Sequence, residues 1–460
     1  MATLYLEPYL STAVFLAALG TLEDRLKRLP ASFQSRLRLT ADCGAVNPME
    51  WLAGQTLYPR IYWCGRDNEE EVAALGVCQD FRFESADDSG LATLLQQTAT
   101  HTGNARLYGG VAFDATGPAW SEFGYARFVL PRIELTRQAD HYRISVNLNS
   151  ENAGLAAERE AALAALRGLL PPQPLPHRAP AAVVSHSDNP EFPRWQELVT
   201  QLTSADFNRH TPKVVLARQT RLDFERDLCP WSLLRRWQQL NPSCFQFGFQ
   251  FGPGASFISC SPERLYLRRL SLLQSEALAG TARRGANEAE DTSLANELLA
   301  DSKNAEENLW VKQDILTALA PLSEWVEAEA HPRIFKLAHV QHLHTSIHAR
   351  LKRETGDLQL LQALHPTPAV GGYPRQSAMT FIRGHETEPR GWYAGACGYL
   401  SADETEFAVA IRSAYLQGKQ VCLYAGAGIV AGSRPEAEWR ELDNKLTTVL
   451  SILLDGKALA

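Results

Sequence analysis

The sequence predicts an α+β protein in which antiparallel-type strands and helices are mixed without a regular strand–helix–strand rhythm. Three observations lead there. Short apolar runs rich in β-branched and aromatic residues recur along most of the chain, each ended by glycine, proline, asparagine or aspartate. Helix-type periodicity breaks in at irregular intervals, which excludes a Rossmann or TIM arrangement. No segment repeats at a fixed period, which excludes solenoids and propellers.

Taken in order, the N-terminal stretch around Leu16-Ala17-Ala18-Leu19, followed by charged residues, reads as an amphipathic helix. It lacks the basic start of a signal peptide, and no apolar run is long enough to span a membrane. "RIYWCG", "RLYGGVAFD", "ARFVLPRIEL" and "HYRISVNL" read as strands, and the alanine-rich "NAGLAAEREAALAALRGLL" as a helix. Five prolines between 171 and 180 then mark a subdomain joint between a variable N-terminal part, 1–180, and the core, 181–460, which are expected to form one compact unit. Beyond it "PEFPRWQELVTQL" and "CPWSLLRRWQQL" are helical, and "KVVLARQTRLDF", "CFQFGFQF", "SFISCSPERLYLRR" and "LLQSEALAG" are strands. One long helical segment covers about 287–322. Strands return at "KLAHVQHLHTSIHARL", "GWYAGACGYLS", "EFAVAIRSAYL" and "QVCLYAGAGIV", and a helix from about 435 to 454 ends the pattern.

A net charge of −7 over 460 residues, with 21% charged residues, argues against a nucleic-acid surface but leaves room for a small anionic substrate. The eight cysteines form no CxxC and no zinc spacing, so reduced buried thiols in a cytoplasmic protein are expected. Cys397, in "AGACGY", has no histidine pattern nearby that would make it a nucleophile.

Several residues could carry chemistry, although each has an ordinary structural reading. Lys213 shares a strand face with the small apolar Val215 and Ala217. It is either a strand-end lysine in an ion pair or an amine held in a pocket as a base. Glu263 follows Ser261-Pro262, where chain is extended. Glu307 lies four residues after Lys303, and Glu438, Glu441 and Lys445 share one helix face. Such stripes are usually solvated ion-pair ladders; the alternative is a hard-cation site. "LAGTARRG" and "YAGAGIV" offer glycine backbone to an anion, and Arg412 in an apolar strand calls for a carboxylate partner.

From Phe192 to Leu454 the chain resembles the chorismate-utilising enzymes, the isochorismate, salicylate, anthranilate and aminodeoxychorismate synthases. The segments "KVVLAR", "SPERL", "ALAGTARRG", "VQHLHTSI", "HPTPAVGGYP", "RGWYAGACGY", "FAVAIRSAY", "YAGAGIV" and "EWRELDNKL" occur in that family's order. "IYWCGRDNEEEVAALG" and "LYGGVAFD" are similar to the menaquinone-type isochorismate synthases. The resemblance implies the large chorismate-binding fold of anthranilate synthase component I, with antiparallel sheets stacked face to face, helices outside and the site between them. It implies chorismate as substrate and Mg²⁺ as cofactor. Lys213 matches the base that activates water and Glu263 the acid that protonates the departing hydroxyl. Glu307 and Glu441 match the metal carboxylates, with Glu438 beside them. Gly280, Thr281, His342, Tyr393, Arg412, Gly426, Gly428 and Lys445 match substrate-binding positions.

A lysine at 213 is typically absent from the ammonia-using branch, because water must be deprotonated on attack and ammonia need not be. The implied nucleophile is therefore water, and no glutaminase partner is expected. Salicylate synthases tend to carry Thr at the position of Ala369 and Leu at that of Ile411, so the resemblance favours isochorismate as the final product, for menaquinone synthesis. Some members carry an acid where this chain has Asn304, which puts the strength of metal binding in doubt.

Overall fold

A computed structural model describes residues 3–30, 36–98, 105–173, 181–338 and 340–454, and in it the apolar runs pair as strands, every pairing antiparallel. Ala126–Gln138 is a branch point, paired with Glu70–Phe83, Leu107–Val111 and His141–Asn149. One arm runs from Glu70–Phe83 through Arg60–Cys64, Phe245–Gln250, Ser256–Ser261, Ser413–Gln417 and Gln420–Val430 to Lys213–Phe224. The other runs from Leu107–Val111 through Ala396–Leu400, Glu404–Val409, Arg264–Arg269 and Leu272–Arg283 to Val340–Leu351. Strands from both sides of the proline-rich joint thus share one hydrogen-bonded network, through Arg60–Cys64 with Phe245–Gln250 and Leu107–Val111 with Ala396–Leu400. Most of the joint itself, 174–180, lies outside the described residues.

Two short crossovers carry the chain between arms. Pro262-Glu263 links Ser256–Ser261 in one arm to Arg264–Arg269 in the other. Residues 410–412 link Glu404–Val409 back to Ser413–Gln417. The crossovers are stitched together. Val409 N–H donates to the Glu263 carbonyl at 3.0 Å and Cys260 N–H to the Arg412 carbonyl at 2.9 Å. Ser261 Oγ donates to the Val409 carbonyl at 2.6 Å and Ser259 Oγ to that of Ile411 at 2.7 Å.

The second crossover corrects the continuous strand expected over "EFAVAIRSAYL". The strand stops at Val409, and Arg412 sits outside it at φ +49°, a left-handed conformation imposed by the change of sheet. The long helix expected over 287–322 is two helices, Glu288–Ala300 and Ser302–Leu319. Asp301 separates them, its carboxylate capping the second by accepting the Asn304 N–H at 2.7 Å. The strand expected from Gly391 begins only at Ala396, because Gly391 and Ala394 take positive φ in a turn. "KLAHVQHLHTSIHARL" likewise becomes a strand only from Val340, with Arg333–Lys336 folded back beside it. The N-terminal helix spans Thr3–Lys27 and buries Phe15, Leu19, Leu22 and Leu26. Among the described residues no helix is long and apolar enough to cross a membrane. All eight cysteines are free, and burial pushes the Cys397 thiol far above its ordinary pKa, so it is no nucleophile.

The second arm is pinned by a buried ion pair. Arg268 donates from Nε and Nη2 to Asp357 at 2.9 and 2.8 Å, and Tyr266 and Thr405 hydroxyls complete the carboxylate's shell. Asp357 is 2% exposed. Arg268→Ala should therefore destabilise the fold by about 3–5 kcal/mol, because an unpaired charge stays buried. Urea unfolding would measure this; a loss below about 1 kcal/mol would show that water reaches Asp357.

Candidate active site

A cavity of about 550 Å³ opens between the arms, and every residue singled out from the sequence lines it except Lys213. The first arm contributes Gly426 and Gly428, the second Gly280, Thr281 and His342, and the crossovers Glu263, Ile411 and Arg412. Glu307 comes from the helix Ser302–Leu319, and Glu438, Glu441 and Lys445 from Pro435–Leu453. Ala369 and Tyr393 enter from loops. Lys303 and Leu278, from the stripe and the glycine segment noted above, also line the cavity, as do Asn208 and Trp310, which were not anticipated and which no local pattern distinguishes from ordinary surface and core residues.

Lys213 lies just behind this lining, 1% exposed, and its Nζ donates to Glu307 Oε1 at 2.7 Å. Both readings of Lys213 therefore meet in one residue: it is ion-paired, and the pair sits at the cavity wall. Gly428 makes room for it. A Cβ there would lie 3.0 Å from Lys213 Cε and 3.6 Å from Nζ. The opposite wall is shaped by a bulge at Gly280, φ +84°, where the pairing of Leu272–Arg283 with Val340–Leu351 slips by one residue. Asn304 braces this bulge, its Oδ1 accepting the Thr281 N–H at 3.3 Å while its Nδ2 donates to Asp301. The Thr281 amide is thus occupied by the protein, and the Thr281 hydroxyl is 2.9 Å from His342 Nδ1. That contact leaves His342 Nε2 buried and without a partner. Burial, reinforced by Arg412 and Lys445, pulls His342 down to about 3, so the ring is neutral.

The acids divide sharply. Burial, with the nearby Glu276 carboxylate, pushes Glu263 up to about 8 against the opposing pull of Lys213 and Arg66. Its carboxyl has no hydrogen-bond or ion-pair partner among the described residues, and the side chain therefore stays protonated at neutral pH. Glu441 is held below the ordinary range by Lys445, 2.6 Å away. Burial, with Glu441 nearby, raises Glu438. Arg412 donates to the Lys445 carbonyl at 2.9 Å and pairs with no carboxylate among the described residues, leaving its charge available to an anion. Among the described residues no three His, Cys, Asp or Glu side chains are gathered closely enough to ligate a metal alone. Glu307 and Glu441 on two helices at one cavity, with Glu438 beside Glu441, still fit a hard cation that completes its shell with substrate oxygens and water.

The chain matches the family model described as chorismate binding enzyme over residues 26–454. It is 35% identical to the isochorismate synthase MenF of Escherichia coli over 89% of this chain and 91% of that protein. It is 38% identical to the salicylate biosynthesis isochorismate synthase of Pseudomonas aeruginosa over 76% and 74%. The solved structure of the menaquinone-specific isochorismate synthase of Escherichia coli superposes with a TM-score of 0.87, covering 96% of this chain and all of that one at 33% identity. Anthranilate synthase component I of Streptococcus pneumoniae shares the fold, with a TM-score of 0.70 at 23% identity over 83% of this chain and 92% of that one.

The acid assignment is testable through stability. Between the unfolded carboxyl value near 4.5 and the folded value of about 8, only the folded chain holds the Glu263 proton. Stability from this group is full below the lower value and falls by roughly 1.4 kcal/mol per pH unit up to the higher one. Glu263→Gln lacks this titration, so its stability relative to the parent should rise by a few kcal/mol between pH 5 and 8. Urea unfolding of both proteins at the two pH values measures it; a constant difference would mean that the buried carboxyl ionises freely.

Proposed function

The chain belongs to the chorismate-binding enzymes, and on that premise we propose that it converts chorismate to isochorismate, with Lys213 as base and Glu263 as acid. The observation that carries this is the pairing, at one cavity, of a buried lysine with an uncharged, unpartnered carboxyl. Water attacks C2 as Lys213, acting in its neutral amine form, takes one of its protons. The ring double bonds shift, the C4–oxygen bond breaks, and Glu263 gives its proton to the departing hydroxyl, which leaves as water. One water enters and one leaves, so the product is an isomer.

Chorismate carries two carboxylates. Arg412 presents a cation that pairs with no carboxylate among the described residues, and the Gly426 and Gly428 backbone lets an anion come close. Neutral His342 offers Nε2 to a substrate oxygen. Tyr393, stacked on Tyr424 with centroids 4.9 Å apart, walls the ring, and Ala369 and Ile411 fill the remaining side. Glu307 and Glu441 would hold Mg²⁺, with Glu438 in support; the ion would supply positive charge to the ring carboxylate. Similarity to the menaquinone enzymes runs through almost the whole chain, while that to the salicylate-pathway relative covers 76%, which supports a place in menaquinone synthesis. Free cysteines and the lack of a membrane-crossing helix among the described residues support a cytoplasmic location.

Purified protein incubated with chorismate and Mg²⁺ should yield an isomer of unchanged mass and no pyruvate, followed by chromatography and mass spectrometry. Lys213→Ala should lower turnover by about 10²-fold or more. Salicylate with pyruvate, an aminated product that forms only with ammonium, or an active Lys213→Ala variant would overturn the assignment.

A further inference from the structure

Behind Glu263, away from the cavity, lies a buried charged cluster that neither the reaction nor the substrate contacts require. Glu276, 4% exposed in Leu272–Arg283, receives two hydrogen bonds from Arg66, at 2.7 and 2.8 Å, and lies 3.0 Å from His344 Nε2. Arg66 comes from the turn after Arg60–Cys64, some 200 residues earlier in the chain, and its guanidinium also covers the rings of Phe335 and Phe245. His344 stands two residues from Ser346, the register partner of Glu276, a diagonal position on the same sheet face.

The cluster grips the chain on both sides of Glu263. Arg66 Nη1 donates to the Pro262 carbonyl at 2.8 Å, and Glu276 Oε1 accepts the Arg264 N–H at 2.8 Å. The two peptide groups flanking the acid are therefore fixed by two halves of one ion pair. None of the three side chains lines the cavity. We propose that Arg66, Glu276 and His344 are positioning residues for the proton donor: they clamp the Pro262–Arg264 crossover so that Glu263 meets the departing hydroxyl, and they fix the charge behind it. This rests on Glu263 being the general acid.

The charged groups around Glu263 are Lys213 on the substrate side and Arg66 and Glu276 behind it. Glu276 is in turn faced by Arg66 and His344, and Glu406 lies near Arg66 while pairing with Arg264 at 2.9 Å. Burial would raise Glu276, but Arg66 and His344 reverse this and hold it ionised. Its charge opposes a second one on Glu263, whereas Arg66 acts the other way.

The test is kcat and KM for chorismate against pH in the parent, Glu276→Gln, Arg66→Lys and Glu263→Gln, with circular dichroism as a check on folding. In the parent, turnover falls on the alkaline side as the donor loses its proton. Glu276→Gln should lower kcat and move that limb down by about one pH unit, with KM nearly unchanged. Arg66→Lys keeps the charge but loses the fork, so kcat should drop while the limb stays. A Glu276→Gln limb that does not move, whatever its kcat, overturns the proposal. If Glu276→Gln does not fold, an Arg66→Lys kcat equal to the parent's overturns it instead. An active Glu263→Gln sinks the acid assignment and the clamp together; an inert Glu263→Gln beside an unshifted Glu276→Gln sinks the clamp alone.

Discussion

One carboxyl group kept uncharged among charged neighbours is the constraint on which the rest of the site depends. Glu307 is paired with Lys213, Glu441 with Lys445 and Glu276 with Arg66, and the cations hold Glu441 and Glu276 below the ordinary carboxylate range. Glu263, buried in the same region, has no such partner among the described residues. With no cation of its own, Glu263 sits in a dry pocket where burial, reinforced by Glu276, outweighs the pull of Lys213 and Arg66, so it keeps its proton. Among the site's carboxyl groups, proton-donor and anionic roles are thereby separated by environment rather than by residue type.

That separation depends on where the backbone changes sheets. A residue inside a strand points to one face or the other, at the strand's own period. Glu263 and Arg412 occupy crossovers between two arms, where the backbone itself sits at the edge of the cavity. The four hydrogen bonds joining the crossovers make the proton donor and the substrate-facing arginine one rigid unit. Lys213 and the glycines facing it lie on ordinary paired strands, Gly428 opposite Val215 and Gly426 opposite Ala217. Rigid strands bring the base and its room; crossovers bring the acid and the anion holder.

These two kinds of position were not equally legible. Lys213 betrayed itself by sharing a face with small apolar residues, and the glycine runs by ending apolar strands. The strand break at Arg412 was hidden because the apolar pattern runs on through Ala410 and Ile411 while the chain passes from one sheet to another. The helix break at Asp301 did leave a signal: an aspartate three residues before Asn304, the N-cap spacing, was absorbed into a longer helical pattern. Asn304 itself was read only as a weakened metal site, yet it supports the Gly280 bulge, a contact between a helix and a strand that sequence adjacency cannot show. Glu276, an acid inside an apolar strand, was not among the residues singled out from the sequence, and its partner Arg66 is joined to it only by the fold.

That long-range contact changes how the two halves of the chain relate. The proline-rich stretch looks like a place where an N-terminal part could be separated from the part bearing the motifs. The sheet does not respect it. Phe245–Gln250, beside the strand leading to Glu263, takes its other partner from Arg60–Cys64, and the turn that follows that partner supplies Arg66. Removing the N-terminal part would expose a sheet edge and strip Glu276 of its Arg66 countercharge, leaving its carboxylate to His344 alone beside the proton donor. The N-terminal half is in this sense part of the acid's environment, although none of its described side chains reaches the cavity.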